Sequence, residues 1–476
     1  MMEALFAYPE SSVMFTLAVV ALVLVSIFKE DFFRPSTLYF LVQMVMLGIS
    51  YLKFLPMMSD FRYSTWLVWG GGMFCFLTGC YITDFAWRSL GGPPLQDKIK
   101  IHGEYNWVCH FFLSFSAFAY FFVGVIGVIS VTGNLVLLTD NPSQWLTGKD
   151  NDVLKYADFF TSGAMVVGLF AVASFKSMNP VRWVRYASRF MVVFTMALSY
   201  ATYPSRGINM LCFGMFIILF NYVRGRFSWR SLAVMCVLVG VFFVAVAALK
   251  GQYGNSDVTD SKIAKEVALL PYKYVANNYW NLDYAFNRMN DVPEHEWTYG
   301  IDAFFGITHL MHIGDGIQQS FGWDTPFNES IVKYPGLNTI PYLWDAYKDF
   351  GLLGIFLLPF FFGVLFTFCY HKMAVAKNPF TLLLTATFMM WIILWNFTTG
   401  YKQSMYWVWM SFFFFVCTVS SGKRLILPAD PEVVGVELAE GTPACELQTR
   451  GDREDIDSRL RGNDDAYGEK GTIVGG

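Results

Sequence analysis

The chain is predicted to be an all-α polytopic membrane protein of about eleven transmembrane helices with one large outer loop. Two observations carry this. The first is composition: 55% of the 476 residues are hydrophobic and only 15% are charged, a balance foreign to ordinary soluble domains. The second is the recurrence of nearly uncharged runs of roughly 16 to 25 residues, each long enough to cross a hydrocarbon core of about 30 Å at about 1.5 Å per residue.

In chain order, the first run is 11–28. Its flanks argue against a cleaved signal peptide, because Glu3 and Glu10 stand where a basic n-region would be and Lys29-Glu30-Asp31 follows in place of small residues. It is read as a retained span. Further spans are expected at 37–54, 64–85, 107–130, 157–175, 188–203, 207–222, 231–249, 350–370, 380–397 and 404–420. Gly70-Gly71-Gly72 suits close helix packing, and Trp66, Trp69, Trp407 and Trp409 suit interfacial belts. Residues 1–249 thus hold eight helices, 250–348 the large loop, 349–424 three more helices, and 425–476 a polar tail with too few aliphatics to fold alone, expected to be disordered.

Orientation follows from the cations. Lys29, Arg34, Arg88, Lys98, Lys100, Lys176, Arg182, Arg185, Arg189, Arg224, Arg226, Arg230, Lys372, Lys377, Lys423 and Arg424 fall on one set of alternate sides; the other short loops hold only Lys53, Arg62, Lys149, Lys155, Arg206 and Lys402. The positive-inside bias places the N-terminus and the large loop outside and the C-terminus in the cytoplasm. The net charge of −3 selects no partner, and nucleic acid is not expected to be one. Seven cysteines lie in or beside apolar runs and Cys445 in the tail, leaving the large loop without a disulfide or a Cys-ligated metal.

A polar loop of this size on an otherwise apolar chain is where chemistry is expected. Within it, 261–280 reads as one or two amphipathic helices on the membrane surface, and 298–313 as another. In the latter Asp302, Phe305, His309 and His312 recur at helical spacing. The two histidines fit an interfacial helix in the headgroup region, fall short of the three or four ligands a metal needs, or supply a proton acceptor near a substrate hydroxyl. Asp150-Asn151-Asp152 has the spacing of a metal-binding pair, but that pattern is common. There is no P-loop, and neither a metal nor another cofactor is called for.

Two further constellations stand out. Arg206, in the tight outer turn Tyr203-Pro204-Ser205-Arg206-Gly207, is a cation against the orientation bias and opens directly into the next span. A guanidinium beside the positive end of a helix makes an anion site suited to phosphate or diphosphate; the alternative is an arginine reaching to lipid headgroups. Asp345, Lys348 and Asp349 share one face at the outer start of the span near Phe350. Carboxylates are favoured at a helix start without any function, but with Asn338, Tyr342, Trp344 and Tyr347 beside them they could orient or deprotonate a sugar hydroxyl.

Tyr203-Pro204-Ser205-Arg206-Gly207 between two spans, the long outer loop, and Asn338-Thr339 leading to Asp345 and Asp349-Phe350-Gly351-Leu352-Leu353-Gly354 before the last three spans resemble the Wzy-type oligosaccharide repeat unit polymerases. The resemblance covers the layout of residues 1–424. It implies a GT-C-like transferase in the bacterial inner membrane that moves a growing glycan from undecaprenyl diphosphate onto the next lipid-linked repeat unit, in O-antigen, capsule or exopolysaccharide synthesis. The family's outward arginines correspond to Arg206 and Arg288. Its partners would be the undecaprenyl-diphosphate-linked oligosaccharides, a chain-length regulator, a flippase and membrane lipids. The catalytic base is sought among Asp345, Asp349, His309 and His312, with Arg206, Arg288, Lys348, Asn338 and Tyr347 on the substrate.

Three rivals share parts of this pattern. An O-antigen ligase-type enzyme has the same loop and outward cations. A polyprenyl-phosphate-sugar transferase prefers an acidic pair near the first span, where the first outer hairpin has only Asp60. A lipid-linked sugar flippase predicts charges inside the spans and symmetric halves.

Overall fold

The computed structural model describes residues 9–54 apart from 29, then 60–94, 98–101, 104–139, 162–202, 206–228, 230, 231, 233, 234, 237, 260–287, 300 and 339–422; at 206–208, 260–271 and 274 the description is of the backbone alone. Residues 423–476, the expected tail among them, lie outside the described residues. Among the described residues there are eleven α-helices and no strand. They are α1 Pro9–Ile27, α2 Pro35–Ser50, α3 Tyr63–Ser89, α4 Trp107–Thr132, α5 Gly163–Ser174 and α6 Arg182–Thr202. There follow α7 Arg206–Arg224, α8 Asp260–Asn287, α9 Tyr342–Lys372, α10 Phe380–Leu394 and α11 Ser404–Val419. Helices α1, α3, α4 and α9 are long and apolar enough to cross a membrane; α2, α5, most of α7, α10 and α11 are shorter apolar helices. The class is that of an all-α membrane protein. The expected span 231–249 falls almost wholly outside the described residues.

Local chemistry explains several boundaries. Pro35 opens α2, where its missing N–H costs nothing. The Asn106 side chain accepts from the Cys109 N–H (2.9 Å) at the start of α4, and Gly133, at φ +71°, ends it. At the crossing of α3 and α9, a β-carbon on Gly79 would collide with the Phe360 carbonyl and one on Gly363 with that of Phe76, so only glycine lets the two backbones touch.

Helix α9 differs from its expectation. The span was expected to begin near Phe350; the helix begins at Tyr342 and breaks at Gly351, whose φ of +62° and ψ of −146° no β-carbon-bearing residue adopts comfortably. The break separates a polar first segment, 342–350, from the apolar segment 352–372. The first segment is anchored elsewhere: the Tyr342 N–H donates to the Trp395 carbonyl at the end of α10 (2.9 Å), and the two rings stack with centroids 4.3 Å apart.

The second correction concerns α8. The expectation was one or two surface-lying helices at 261–280, but the chain forms one helix of 28 residues whose C-terminal half enters the bundle. The reason is polar rather than apolar. The Tyr279 hydroxyl sits 2.7 Å from both Gln43 Oε1 and Asn396 Oδ1, Gln43 Oε1 also accepts from the Trp69 indole N–H (3.0 Å), and Gln43 Nε2 donates to Asn396 (3.2 Å). This buried network fixes α8 against α2, α3 and the end of α10.

Candidate functional site

Polar clusters lie at the two ends of α9. At its start, Asp345 accepts from the Lys402 ammonium (2.6 Å) and from the Thr399 hydroxyl. Both donors belong to the short turn between α10 and α11, so the carboxylate joins that turn to segment 342–350. The Asp345 and Lys402 side chains keep only 16% and 15% of their exposure, so the pair is largely desolvated and each charge depends on the other. Lys348 and Asp349 are buried in the same segment, and the Lys348 charge acts on Asp345 as well. Tyr347 stacks on Trp344 (5.9 Å), and Phe286 of α8 meets both rings edge-on (5.3 and 5.7 Å).

Helix α8 holds the approach to this segment. The Asn281 side chain donates to the Thr339 carbonyl (2.9 Å), and the Thr339 hydroxyl donates to Asn278. Asp283 accepts from the Arg62 N–H (2.9 Å) and the Thr65 hydroxyl (2.6 Å), placing a carboxylate on the N-terminus of α3, where the helix dipole favours it.

Of the residues singled out from sequence, Asp345, Tyr347, Lys348 and Asp349 are brought together here. Arg206 is the first residue of α7, the helix-start position expected of it, and its side chain lies outside the description. Arg288, His309, His312 and Asn338 lie outside the described residues, as does Asp150-Asn151-Asp152. Sequence reasoning missed Thr399 and Lys402. The signal was available, since Lys402 is among the few cations on the sparse side of the charge distribution.

At the other end of α9 is a second cluster that sequence reasoning also missed. The Arg34 guanidinium bridges Asp84 and Glu30 (2.8 Å to the latter). His371 Nε2 meets the other Asp84 oxygen at 2.6 Å, and its ring stacks on Trp87 at 5.3 Å. Burial works against the Arg34 charge, but Asp84 and Glu30 outweigh it and hold the guanidinium protonated. Beside it Asp31, 3% exposed, accepts from the Phe33 N–H (3.0 Å), Asn221 (2.9 Å) and the Tyr370 hydroxyl (3.1 Å). Burial raises the Asp31 carboxyl above its ordinary range, and these three bonds only partly offset it. The cluster ties the 30–34 turn to α3, α7 and α9. It is a clasp of ion pairs and hydrogen bonds between elements, whereas the Asp345 cluster combines carboxylates, cations and flat aromatic faces of the kind that hold hydroxyl-rich molecules.

Among the described residues no group of three or more His, Cys, Asp or Glu side chains is placed to hold a metal. Comparison of the chain with protein families, with curated proteins and with solved structures finds no match.

Proposed function

We propose that this protein is a membrane glycosyltransferase that polymerises lipid-linked oligosaccharide repeat units. The observation that carries the reading is the Asp345 cluster: two carboxylates one turn apart, one held by Lys402 and Thr399 and the other buried, beside the Trp344, Tyr347 and Phe286 rings at one end of a spanning helix. In the proposed reaction an acceptor hydroxyl attacks the anomeric carbon of the donor glycan. The new C–O bond forms as the bond to undecaprenyl diphosphate breaks, the hydroxyl proton passes to a carboxylate, and the diphosphate leaves with the bonding pair. Asp345, already committed to two donors, orients the acceptor; Asp349 is the candidate base, with His309 and His312 behind it. Arg206 at the start of α7 is assigned to the diphosphate, where a charge and a helix N-terminus stabilise the leaving group together.

The reading carries eleven spans in a GT-C-like arrangement in a bacterial inner membrane, the large loop and N-terminus outside and the C-terminus within. Its test is deletion in the native host, with analysis of surface and carrier-linked glycan. Single repeat units without long chains are expected. Long chains that persist while repeat units accumulate on the cytoplasmic face would replace the polymerase with a flippase, and loss of attachment with normal chain length would replace it with a ligase.

A further inference from the structure

Helix α5 is a half-helix enclosed by protein. Its 12 residues cover about 18 Å at about 1.5 Å per residue, and every one of them is buried. Its unpaired first-turn N–H groups therefore end inside the bundle and not in water. Ser162 precedes it at the capping position, where a serine hydroxyl ordinarily accepts one of those N–H groups. Here it does not: the Met165 N–H goes to the Ser162 carbonyl (3.1 Å), and the Ser162 hydroxyl, on a residue 1% exposed, has no partner among the described residues.

The neighbouring helices add to this end. Helix α6 runs antiparallel to α5: Arg189 Nε donates to the Ser174 carbonyl (3.3 Å) at one end, while at the other a β-carbon on Gly163 would lie 3.0 Å from the Ser199 hydroxyl and 3.4 Å from the Cys212 sulfur of α7. One turn beyond Ser199 on the same face is Thr202, fully buried, its hydroxyl also without a partner. Helix α7 runs parallel to α5, with Cys212 beside Gly163 and Phe216 and Phe220 beside Phe175. Its N-terminus is therefore on the same side. From Ser162 to Arg230 the sequence contains no Asp or Glu.

We infer that the N-terminus of α5, with the Ser162 and Thr202 hydroxyls, is a binding site for a phosphate or diphosphate oxyanion. Two buried hydroxyls left unpaired are costly and in native proteins find partners; an acceptor-only ligand supplies them. Two buried hydroxyls at the N-terminus of a wholly buried helix, with no Asp or Glu from Ser162 to Arg230, select a ligand that is anionic. Assigning a polyprenyl diphosphate headgroup as its source rests on the polymerase reading; the anion site does not.

The test uses the full chain in detergent micelles, with binding of inorganic pyrophosphate and of undecaprenyl diphosphate followed by calorimetry. Ser162→Ala and Thr202→Val are each expected to weaken pyrophosphate binding about tenfold, the loss of one hydrogen bond to a charged group. Thr202→Ser, which restores the hydroxyl, returns it to within about threefold by the same arithmetic. Ser188→Ala is the control, because Ser188 is an equally buried, unpartnered hydroxyl on α6 near the opposite end of α5. It should leave binding unchanged. The unliganded melting temperature should hold or rise in all of them, since each loses or keeps a hydroxyl that pairs with nothing in the free protein. Wild-type protein that binds neither probe, or binding indifferent to Ser162→Ala and Thr202→Val, overturns the inference. Binding of pyrophosphate but not of the lipid diphosphate upholds the site and overturns its lipid source. Long chains persisting in the deletion strain would remove the polymerase and leave this result untouched.

Discussion

Replacing Asp345 with asparagine separates what its carboxylate does for the fold from what it does for substrate. The Asp345–Lys402 pair is 2.6 Å apart with both side chains about 15% exposed, so loss of one partner strands a buried charge, which costs about 3–5 kcal/mol. The residual exposure favours the lower end, about 3 kcal/mol. Asp345→Asn and Lys402→Met should each show that loss. The double variant should return to within about 1 kcal/mol of wild type and so report a coupling of about 5–6 kcal/mol. The assay is reversible unfolding of purified protein in mixed micelles, with polymer length measured in cells at equal protein level. If Asp345 orients substrate, the double variant is stable yet makes short chains. A coupling below about 0.5 kcal/mol would refute the claim that the pair is desolvated, and normal chain length in the double variant would make Asp345 a structural residue only.

At the α3–α9 crossing, Gly363→Val should abolish folded protein in membranes while Gly70→Val, at a position with open space around it, should not; immunoblots after detergent extraction distinguish them. Asp31 links stability to pH. Because burial raises its carboxyl above the ordinary 3.8, the folded protein holds a proton that the unfolded chain has released, so its contribution falls as pH rises from that value. Melting curves across the acidic range should therefore show a smaller decline with rising pH for Asp31→Asn than for wild type. For Arg206, lysine keeps the charge but loses the two-pronged grip on phosphate, and alanine loses both. Turnover of purified lipid-linked repeat units should fall roughly ten- to a hundredfold with lysine and further with alanine; full activity of the lysine variant would remove Arg206 from the site.

Much of the fold was legible because apolar runs of the required length leave little choice. Helices occur at ten of the expected spans, from Pro9–Ile27 to Ser404–Val419. What was not legible depends on particular side chains finding distant ones. Tyr279 is an ordinary aromatic in sequence until Gln43 and Asn396 stand beside it, and that contact turns a surface-lying helix into a packed one. The cluster of Asp345, Lys348 and Asp349 could be read from spacing; Thr399, 54 residues on, could not, and Lys402, 57 residues on, stood out only as a cation on the sparse side. Asp84 and His371 were hidden differently. Each sits near the C-terminal end of an apolar helix where a lone polar residue attracts no notice, and only the parallel packing of α3 and α9 makes them partners.

The break at Gly351 also divides the ties that hold α9. Segment 342–350 is continuous in sequence with the span 352–372, but its ties are to Trp395, Thr399 and Lys402, while the span is bound through Gly363 to α3 and through Tyr370 and His371 to the clasp at its far end. The Asp345 carboxylate is thus held by the turn between α10 and α11. The span meets that turn as well, Phe362 stacking on Tyr401 (5.4 Å) and lying against Trp395 (5.5 Å), so the break turns the chain between two segments that share one partner.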